Sequence, residues 1–317
     1  MKVTVFMDVE DPINPASDDA AHEFVRLFDE VGIPGGFCLT GDKCRALAGQ
    51  SEIADAFRRH RCGLHTNSHS VHPTTMELLE KCGFEEGCAL AIESESRGFE
   101  AFQSLLNSPP AFWGGAGNTW SPEITDALKM LGIPAYSYSL TSLPGSAVHR
   151  FNGVIGLPQT YSVSEAEWMS NPGTEGLFTK LRAFVGPWIG IFVGHPTRFR
   201  HADYWDWGYY GGVNPDPVPT TPLTSEDDYQ RAKSNLRTFL QELKNEFEVV
   251  PCPTDGFEFR KPTESELNFF RTETAKNIRN AAKWPIHRPD LDPQNIIDKT
   301  LALADTVEIA VGFGESA

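Results

Sequence analysis

The sequence is short of positive charge and of long apolar runs. Forty-three acidic residues against 27 basic ones leave a net charge of −16, which opposes binding to nucleic acid or to an anionic membrane surface. No apolar run approaches the roughly 20 residues of a membrane span, and the N-terminus shows no signal-peptide core. We therefore expect a soluble, cytoplasmic protein that acts on a small molecule or a glycan and binds neither nucleic acid nor membrane.

Cysteine is also scarce, and its spacing excludes two kinds of site. The six cysteines include no Cys-x-x-Cys pair, so neither a zinc knuckle nor a thioredoxin-like redox motif is indicated. A chain of 317 residues can bury a stable core without cross-links. We expect reduced, unpaired thiols, and the composition leaves open whether the protein is a homo-oligomer.

Strand-like and helix-like segments alternate along most of the chain. Such alternation predicts an α/β fold with a parallel sheet or barrel, which we assign to residues 1–257. The charged tail, residues 258–317, is predicted to be a helical C-terminal extension. The predicted strands are residues 2–9, 37–40, 62–65, 111–113, 133–138, 154–157, 188–193 and 248–250, and the predicted helices are residues 17–31, 51–60, 74–81, 84–106, 121–131 and 225–247.

The segment 65–72 (HTNSHSVH) carries three histidines in eight residues. Neutral imidazoles at His65 and His69 can bind one cation, either from one side of a helix or from a bend after a strand. Thr66 stands where the zincin motif requires Glu, so a zincin mechanism is excluded. The alternative is that these are surface or hydrogen-bonded core histidines.

Carboxylates are crowded at the end of the first predicted strand. Repulsion among Asp8, Glu10 and Asp11 would raise the pKa of at least one of them unless a cation neutralises the group. The alternative is a solvated acidic turn. A further histidine, His195, ends the apolar run 188–194, the kind of strand end where α/β folds place catalytic groups.

Together these segments resemble the polysaccharide deacetylase family of carbohydrate esterases over about residues 2–255. The family's His-Ser/Thr-x-x-His motif is met by residues 65–69, and its last motif, an apolar strand that ends in His, resembles residues 191–195. The family's first motif, paired acidic residues, is similar to residues 7–12. Its third motif, an aromatic loop rich in glycine, is similar to residues 112–120.

The sequence departs from the family pattern in three places. The family's third motif carries an Arg that orients the catalytic base, and residues 112–120 contain none. The family's second histidine is followed directly by Pro, whereas here Pro73 comes after an insertion. The usual acidic pair is Asp-Asp, so either Glu10 with Asp11, or Asp8 with Glu10, fills that place.

The resemblance implies a distorted (β/α) barrel and a metal-dependent hydrolase that removes an acetyl group from an N-acetylated sugar or a related amide. It implies a divalent ion, most simply Zn²⁺, held by Asp11, His65 and His69. Glu10, or Asp8, would take the proton from the attacking water, and His195 would protonate the leaving group.

Aromatic residues are the expected substrate contacts. The loop between residues 196 and 223 is rich in Gly, Pro and aromatic residues and shows neither the helical nor the strand periodicity of apolar residues. Long loops of this kind are typically functional. We expect Trp205 from this loop, with Trp113 and Trp120, to bind the substrate, or else to anchor their loops. Two alternative functions are a C–N hydrolase that acts on a small non-sugar amide or ureide, similar to allantoinase, and a non-catalytic carbohydrate-binding relative.

Overall fold

The computed structural model describes residues 1–137, 140–170 and 174–313. The described strands are β1 (Lys2–Val9), β2 (Gly36–Leu39), β3 (Arg61–Leu64), β4 (Trp113–Gly114), β5 (Ala135–Ser137), β6 (His149–Phe151), β7 (Val154–Leu157), β8 (Gln159–Ser162), β9 (Trp188–Phe192), β10 (Glu248–Val249), β11 (Phe257–Arg260) and β12 (Glu308–Phe313). The described α-helices are α1 (Ala16–Val31), α2 (Gly41–Ala46), α3 (Ser51–Phe57), α4 (Thr75–Leu79), α5 (Phe84–Leu106), α6 (Glu123–Leu131), α7 (Glu165–Met169), α8 (Thr174–Ala183), α9 (Pro196–Arg200), α10 (Glu226–Glu246), α11 (Glu264–Ala281) and α12 (Gln294–Ala302).

All the strands join one mixed sheet. Its order is β11-β12-β6-β7-β5-β4-β3-β2-β1-β9-β8, and β10 also pairs with β1. The run from β7 to β8 is parallel, while β6, β12 and β11 add antiparallel strands. The sheet curls into a distorted, open (β/α) barrel, as the sequence predicts.

The amphipathic helix α1 shows how the sequence builds the outer layer. Phe24 and Phe28 lie on its buried face, and Gly32, at φ 72°, ends it in the left-handed conformation that glycine adopts at low cost. The ring of Phe24 stacks on Phe199 of α9 at 4.5 Å between centroids. Burying one such ring stabilises the fold by roughly 1.5–3 kcal/mol, so α1 fixes the short helix that follows His195.

Strand β1 places the acidic residues inside the barrel. Val5 and Met7 pack in the main core under the helices, whereas Phe6 lies in a separate cluster with Cys38 of β2. Because side chains alternate along a strand, Asp8 shares the inner face with Phe6. The parallel register aligns β1 with β2 and β9, so the carboxyl ends of these strands meet at one edge.

The C-terminal segment is more than a helical extension. Helices α11 and α12 agree with the helical expectation, but β11 and β12 pair antiparallel with each other, and β12 continues the sheet beside β6. Phe270 and Ile278 of α11 belong to the main core. Residues 258–313 are therefore integrated into the barrel.

Other expectations from the sequence can be compared with the structure directly. Each predicted strand and helix overlaps one in the structure, although residue 138 of the fifth predicted strand lies outside the described residues. All six cysteines are free thiols, as expected. Within the described part of the chain, no helix combines the length and apolar character needed to cross a bilayer.

Candidate functional site

Two carboxylates and three imidazoles converge at the carboxyl edge of the sheet. Glu10 Oε2 lies 3.0 Å from His69 Nε2 and 3.5 Å from His65 Nε2. It also lies 3.8 Å from His195 Nε2. Asp8 Oδ2 lies 3.6 Å from His65 Nε2 and 3.8 Å from His195 Nε2. We call these five residues the acidic–histidine cluster; Asp8, Glu10 and His65 are buried, and His69 and His195 are partly buried.

The geometry of this cluster fits a divalent cation. Four ligand atoms around Zn²⁺ at about 2.0–2.1 Å are separated from one another by roughly 3.3 Å, close to the separations within the cluster. One oxygen of Glu10 and one ring nitrogen each of His65 and His69 form a group within 4.8 Å of one another. Carboxylate and imidazole are the ligand types of catalytic zinc sites.

The orientation of two imidazoles is fixed by acceptors on their far sides. His65 Nδ1 lies 3.1 Å from the carbonyl oxygen of Gly114 and donates to it. His69 Nδ1 contacts the hydroxyl of Ser70, which donates to Asp206 Oδ2 at 2.7 Å. With Nδ1 as donor, Nε2 of each ring faces the cluster, and in the neutral ring this nitrogen carries the electron pair that a metal-binding histidine offers.

His195 is held by a carboxylate that sequence analysis did not single out. Glu165 Oε1 accepts from His195 Nδ1 at 2.6 Å and from the His195 backbone N–H at 2.8 Å. A side chain at Gly194 would collide with this carboxylate, since a Cβ there would lie 2.7 Å from it. Burial alone would lower the pKa of His195, but the charges of Glu10 and Glu165 raise it to about 10.

The charges of the cluster depend on one another. Burial would raise the pKa of Glu10, but His69 and His195 hold it well below its usual range. Burial would likewise lower the pKa of His69, which the Glu10 carboxylate raises instead. Without a cation, protonated imidazoles must balance the carboxylates, and a bound cation would take over that role.

The loop that carries His65 and His69 is strained and tightly packed. Thr66 and His69 have φ values of 57° and 43°, a region that costs non-glycine residues roughly 1–3 kcal/mol and is enriched at functional sites. A Cβ on Gly41 would lie 2.7 Å from the Asn67 carbonyl oxygen, and one on Gly98 would lie 2.9 Å from Asn67 Cα. The surrounding elements therefore hold the loop in place by direct backbone contact.

Asp11 is not part of the cluster, in contrast to the ligand set that the resemblance implies. Its Oδ1 accepts from the backbone N–H groups of Ile13 and Asn14 at 2.9 and 3.0 Å. Its Oδ2 accepts from Asn14 Nδ2 at 3.0 Å and from Thr197 Oγ1 at 2.7 Å. Because the chain turns after β1, this carboxylate ties the strand end to α9, and Glu10 is the carboxylate that lies beside both His65 and His69.

The third histidine of the HTNSHSVH segment also lies elsewhere. His72 Nδ1 is 2.7 Å from Glu77 Oε2, and its Nε2 donates to the carbonyl oxygen of Tyr209 at 2.8 Å. Burial would lower the pKa of His72, but Glu77 raises it. His72 thus joins α4 to the aromatic loop and has a structural role.

The three tryptophans expected to bind substrate are buried. Trp113 and Trp120 are 0% exposed and Trp205 is 1% exposed, so none offers a ring face to a ligand. Trp113 Nε1 donates to Glu95 Oε2 at 2.8 Å. Trp205 Nε1 donates to Glu10 Oε1 at 3.0 Å and thus orients an acidic residue of the cluster.

The cluster opens into a cleft of about 590 Å³. Two aromatic residues at its wall are partly exposed, Tyr204 at 37% and Trp284 at 43%. Trp284 comes from the C-terminal segment, and the segment is fixed there because Gly211 N–H donates to the Pro285 carbonyl oxygen at 2.7 Å. Sequence analysis did not single out Trp284, because the tail carries no recognisable chemical motif.

Comparison with known proteins gives likeness of structure only. No family model matches the chain, and no curated protein does. The 4-alpha-glucanotransferase from Thermococcus litoralis is 9% identical with a TM-score of 0.52, over 78% of this chain and 38% of that chain. At this identity, the likeness shows a common fold.

Polysaccharide deacetylases are also among the solved structures that this chain is similar to. A family 4 carbohydrate esterase from Streptomyces lividans is 10% identical with a TM-score of 0.42, over 80% of this chain and 92% of that chain. A CE4-family pseudoenzyme from Bacillus anthracis is 11% identical with a TM-score of 0.41, over 78% of this chain. The matched part spans 62% of the pseudoenzyme, less than two thirds of its length.

Proposed function

We propose that this chain is a divergent polysaccharide deacetylase and a divalent-metal-dependent hydrolase that removes an acyl group from the nitrogen of an amino sugar or a related amine. The observation that carries the proposal is the convergence of Glu10 with His65 and His69, with Asp8 and His195 beside them. Cation ligands and two proton-transferring groups thus meet in one cleft.

The ligand set follows from which carboxylate reaches both histidines of the loop. Glu10 Oε2 lies within 3.5 Å of both imidazoles, and Trp205 fixes its other oxygen. Glu10, His65 and His69 would therefore hold the ion, most simply Zn²⁺. When bound, the ion supplies Lewis-acid polarisation of the acyl carbonyl and of a water molecule.

Asp8 is then the general base and His195 the general acid. The Asp8 carboxylate lines the cleft and would take a proton from the attacking water. His195 lines the cleft beside it and would give a proton to the leaving nitrogen as the C–N bond breaks. Glu165 holds the His195 ring through Nδ1, so that Nε2 faces the substrate.

The test has two parts, metal content and acyl release. Protein purified without added metal is analysed for bound metals, and the loaded enzyme is screened for acetate release from N-acetylated amino sugars and small acylated amides. We expect one tightly bound ion per chain and release from at least one substrate. Asp8→Asn should keep the ion and lose turnover.

Two outcomes would contradict the proposal in different ways. A folded protein that binds no divalent ion would remove the metal-dependent mechanism. A fully loaded protein that releases acetate from no member of the panel would favour a non-catalytic relative that retains the ion site.

A further inference from the structure

We call the part of the cleft lining that comes from residues 140–149, Gln159 and Asn277 the neutral arm, because it contains no Asp, Glu, Lys or Arg. Among the described residues that line the cleft, none is Lys or Arg, and the acidic ones are Asp8, Glu10 and Asp206. The arm itself is lined by neutral residues that include Thr141, Ser142 and Asn277. A phosphate or carboxylate group in this arm would have no Lys or Arg to balance its charge, because the basic histidines of the cleft, His69 and His195, are already paired with Glu10 and Glu165.

His149 forms the polar floor of this arm. Its Nδ1 lies 3.2 Å from the Ala147 carbonyl oxygen, and its Nε2 lies 3.0 Å from both Tyr136 Oη and Thr141 Oγ1. Nδ1 is therefore the donor, and Nε2 accepts from a hydroxyl. Burial lowers the pKa of His149 to about 4, so the ring is neutral near pH 7.

Gly156 leaves the space that the His149 imidazole and the Tyr136 phenol occupy. A Cβ on Gly156 of β7 would lie 2.5 Å from His149 Nε2 and 2.8 Å from Tyr136 Oη. Any residue other than glycine would displace the imidazole or the phenol. The neutral hydrogen-bonding group is thus built into the sheet, with Thr141 and His149 at the surface of the cleft.

Gln159 adds a donor that the described part of the protein leaves unused. It opens β8 and lines the cleft, and its Nε2 is buried without a hydrogen-bond partner among the described residues. A buried polar group that makes no hydrogen bond costs roughly 1–3 kcal/mol. An oxygen acceptor on a ligand in the arm would remove that cost.

We propose that the neutral arm, through Thr141, His149 and Gln159, binds an uncharged, oxygen-bearing part of the substrate and rejects acyl amines that carry phosphate or carboxylate. Gln159 Nε2 donates to a carbonyl or hydroxyl oxygen of the ligand, while Thr141 and His149 provide the neutral floor. This proposal rests on the proposed function and narrows it: nucleotide-linked substrates are excluded.

The experiment measures binding separately from catalysis. Titration calorimetry on the metal-loaded Asp8→Asn protein compares N-acetylglucosamine with its 1- and 6-phosphates, matched ligands that differ by one anionic group. We expect the neutral sugar to bind at least about tenfold more tightly than either phosphate. Equal or tighter binding of a phosphate, or no binding of the neutral sugar, overturns the proposal.

Substitutions at two neighbouring residues of β8 test whether Gln159 causes the preference for the neutral sugar. Gln159→Leu should weaken binding of the neutral sugar about 5- to 10-fold with unchanged metal content, and Gln159→Arg should shift the preference towards the phosphates. Thr160→Val is the matched control, because Thr160 Oγ1 is also buried without a hydrogen-bond partner among the described residues but does not line the cleft.

The outcomes separate this inference from the proposed function. Unchanged affinity in Gln159→Leu overturns the assignment of Gln159 as the specificity residue. Selective binding of the neutral sugar together with no acetate release by the native protein supports the arm and contradicts the hydrolase.

Discussion

Two histidines that line one cleft, His195 and His149, differ in charge because they differ in neighbours. Burial alone would lower the pKa of both. At His195 the charges of Glu10 and Glu165 reverse this and raise the pKa to about 10, whereas His149, among hydroxyls and a carbonyl, falls to about 4. The carboxylates, and not burial, decide which end of the cleft gathers positive charge.

The difference divides the cleft by chemistry. The end at β1, β3 and β9 concentrates anionic and cationic groups that suit a divalent ion and proton transfer. The end at β6, β7 and the start of β8 offers neutral donors and acceptors that suit recognition of an uncharged group. Substituting one residue at the charged end and one at the neutral end tests whether the two ends have these separate roles.

The largest effect should come from the charged end. His65→Ala removes one of three proposed ligands, so we expect loss of the bound ion and a fall in turnover of at least about 10³-fold. Metal analysis and acetate release measure the two effects. His72→Gln, in the same segment but bonded to Glu77, should keep the ion; if it loses the ion as well, the assignment of the segment is wrong.

Proton transfer should be separable from metal binding. His195→Ala should lower turnover by about 10²–10⁴-fold while the metal content and fold remain, as expected when one proton-transfer group is lost. Glu165→Gln should lower turnover less, because a neutral amide oxygen can still accept, more weakly, from His195 Nδ1 and from the His195 backbone N–H. Loss of the ion in His195→Ala would instead make His195 a ligand.

A smaller effect is expected from the residue that orients Glu10. Trp205→Phe keeps the aromatic ring but removes the N–H that donates to Glu10 Oε1, and loss of such a supporting hydrogen bond typically weakens metal affinity about 10- to 100-fold. Competition with a zinc chelator measures the affinity. Trp207→Phe, at a side chain 49% exposed, is the control; equal effects of both substitutions would contradict a specific role for Trp205.

How much of the site could be predicted from sequence varies with the residue. The histidines His65, His69 and His195 could be selected because their spacing and strand-end positions are local features, and the structure brings all three together. Whether Glu10 or Asp11 lies beside the histidines could be decided only from the path of the chain after β1. Alternation along the strand groups Asp8 with Glu10, but the turn that sends Asp11 towards Thr197 depends on tertiary contacts.

Other parts of the site depend on contacts between distant residues. Glu165 reaches His195 across 30 positions and Trp205 reaches Glu10 across 195, and no local pattern predicts such pairs. The burial of the aromatic residues is likewise a tertiary property. The prediction that Trp113 and Trp120 contact substrate was therefore wrong, since both are fully buried. Strands β11 and β12 escaped prediction because they pair across two helices.

The smallest effect concerns the neutral end and appears as a pH dependence of stability. The folded pKa of His149, about 4, lies below its ordinary value of 6.5, so the fold favours the neutral ring. This stabilisation is complete above pH 6.5 and is lost as the pH falls towards 4, by on the order of 3 kcal/mol at most. Urea unfolding between pH 7.5 and 4.5 should therefore show native protein losing more stability than His149→Gln; parallel curves would contradict a neutral His149.

Anomalous diffraction at the zinc edge, from crystals grown with Zn²⁺, tests the central claim most directly. The claim is that Glu10, His65 and His69 form a cation site and that Asp11 does not contribute. We expect one peak at ~2.0–2.2 Å from Glu10 Oε2 and from the Nε2 atoms of His65 and His69, with Asp11 still accepting from Thr197. A folded protein with no peak at this position, or with a peak coordinated by Asp11, would contradict it.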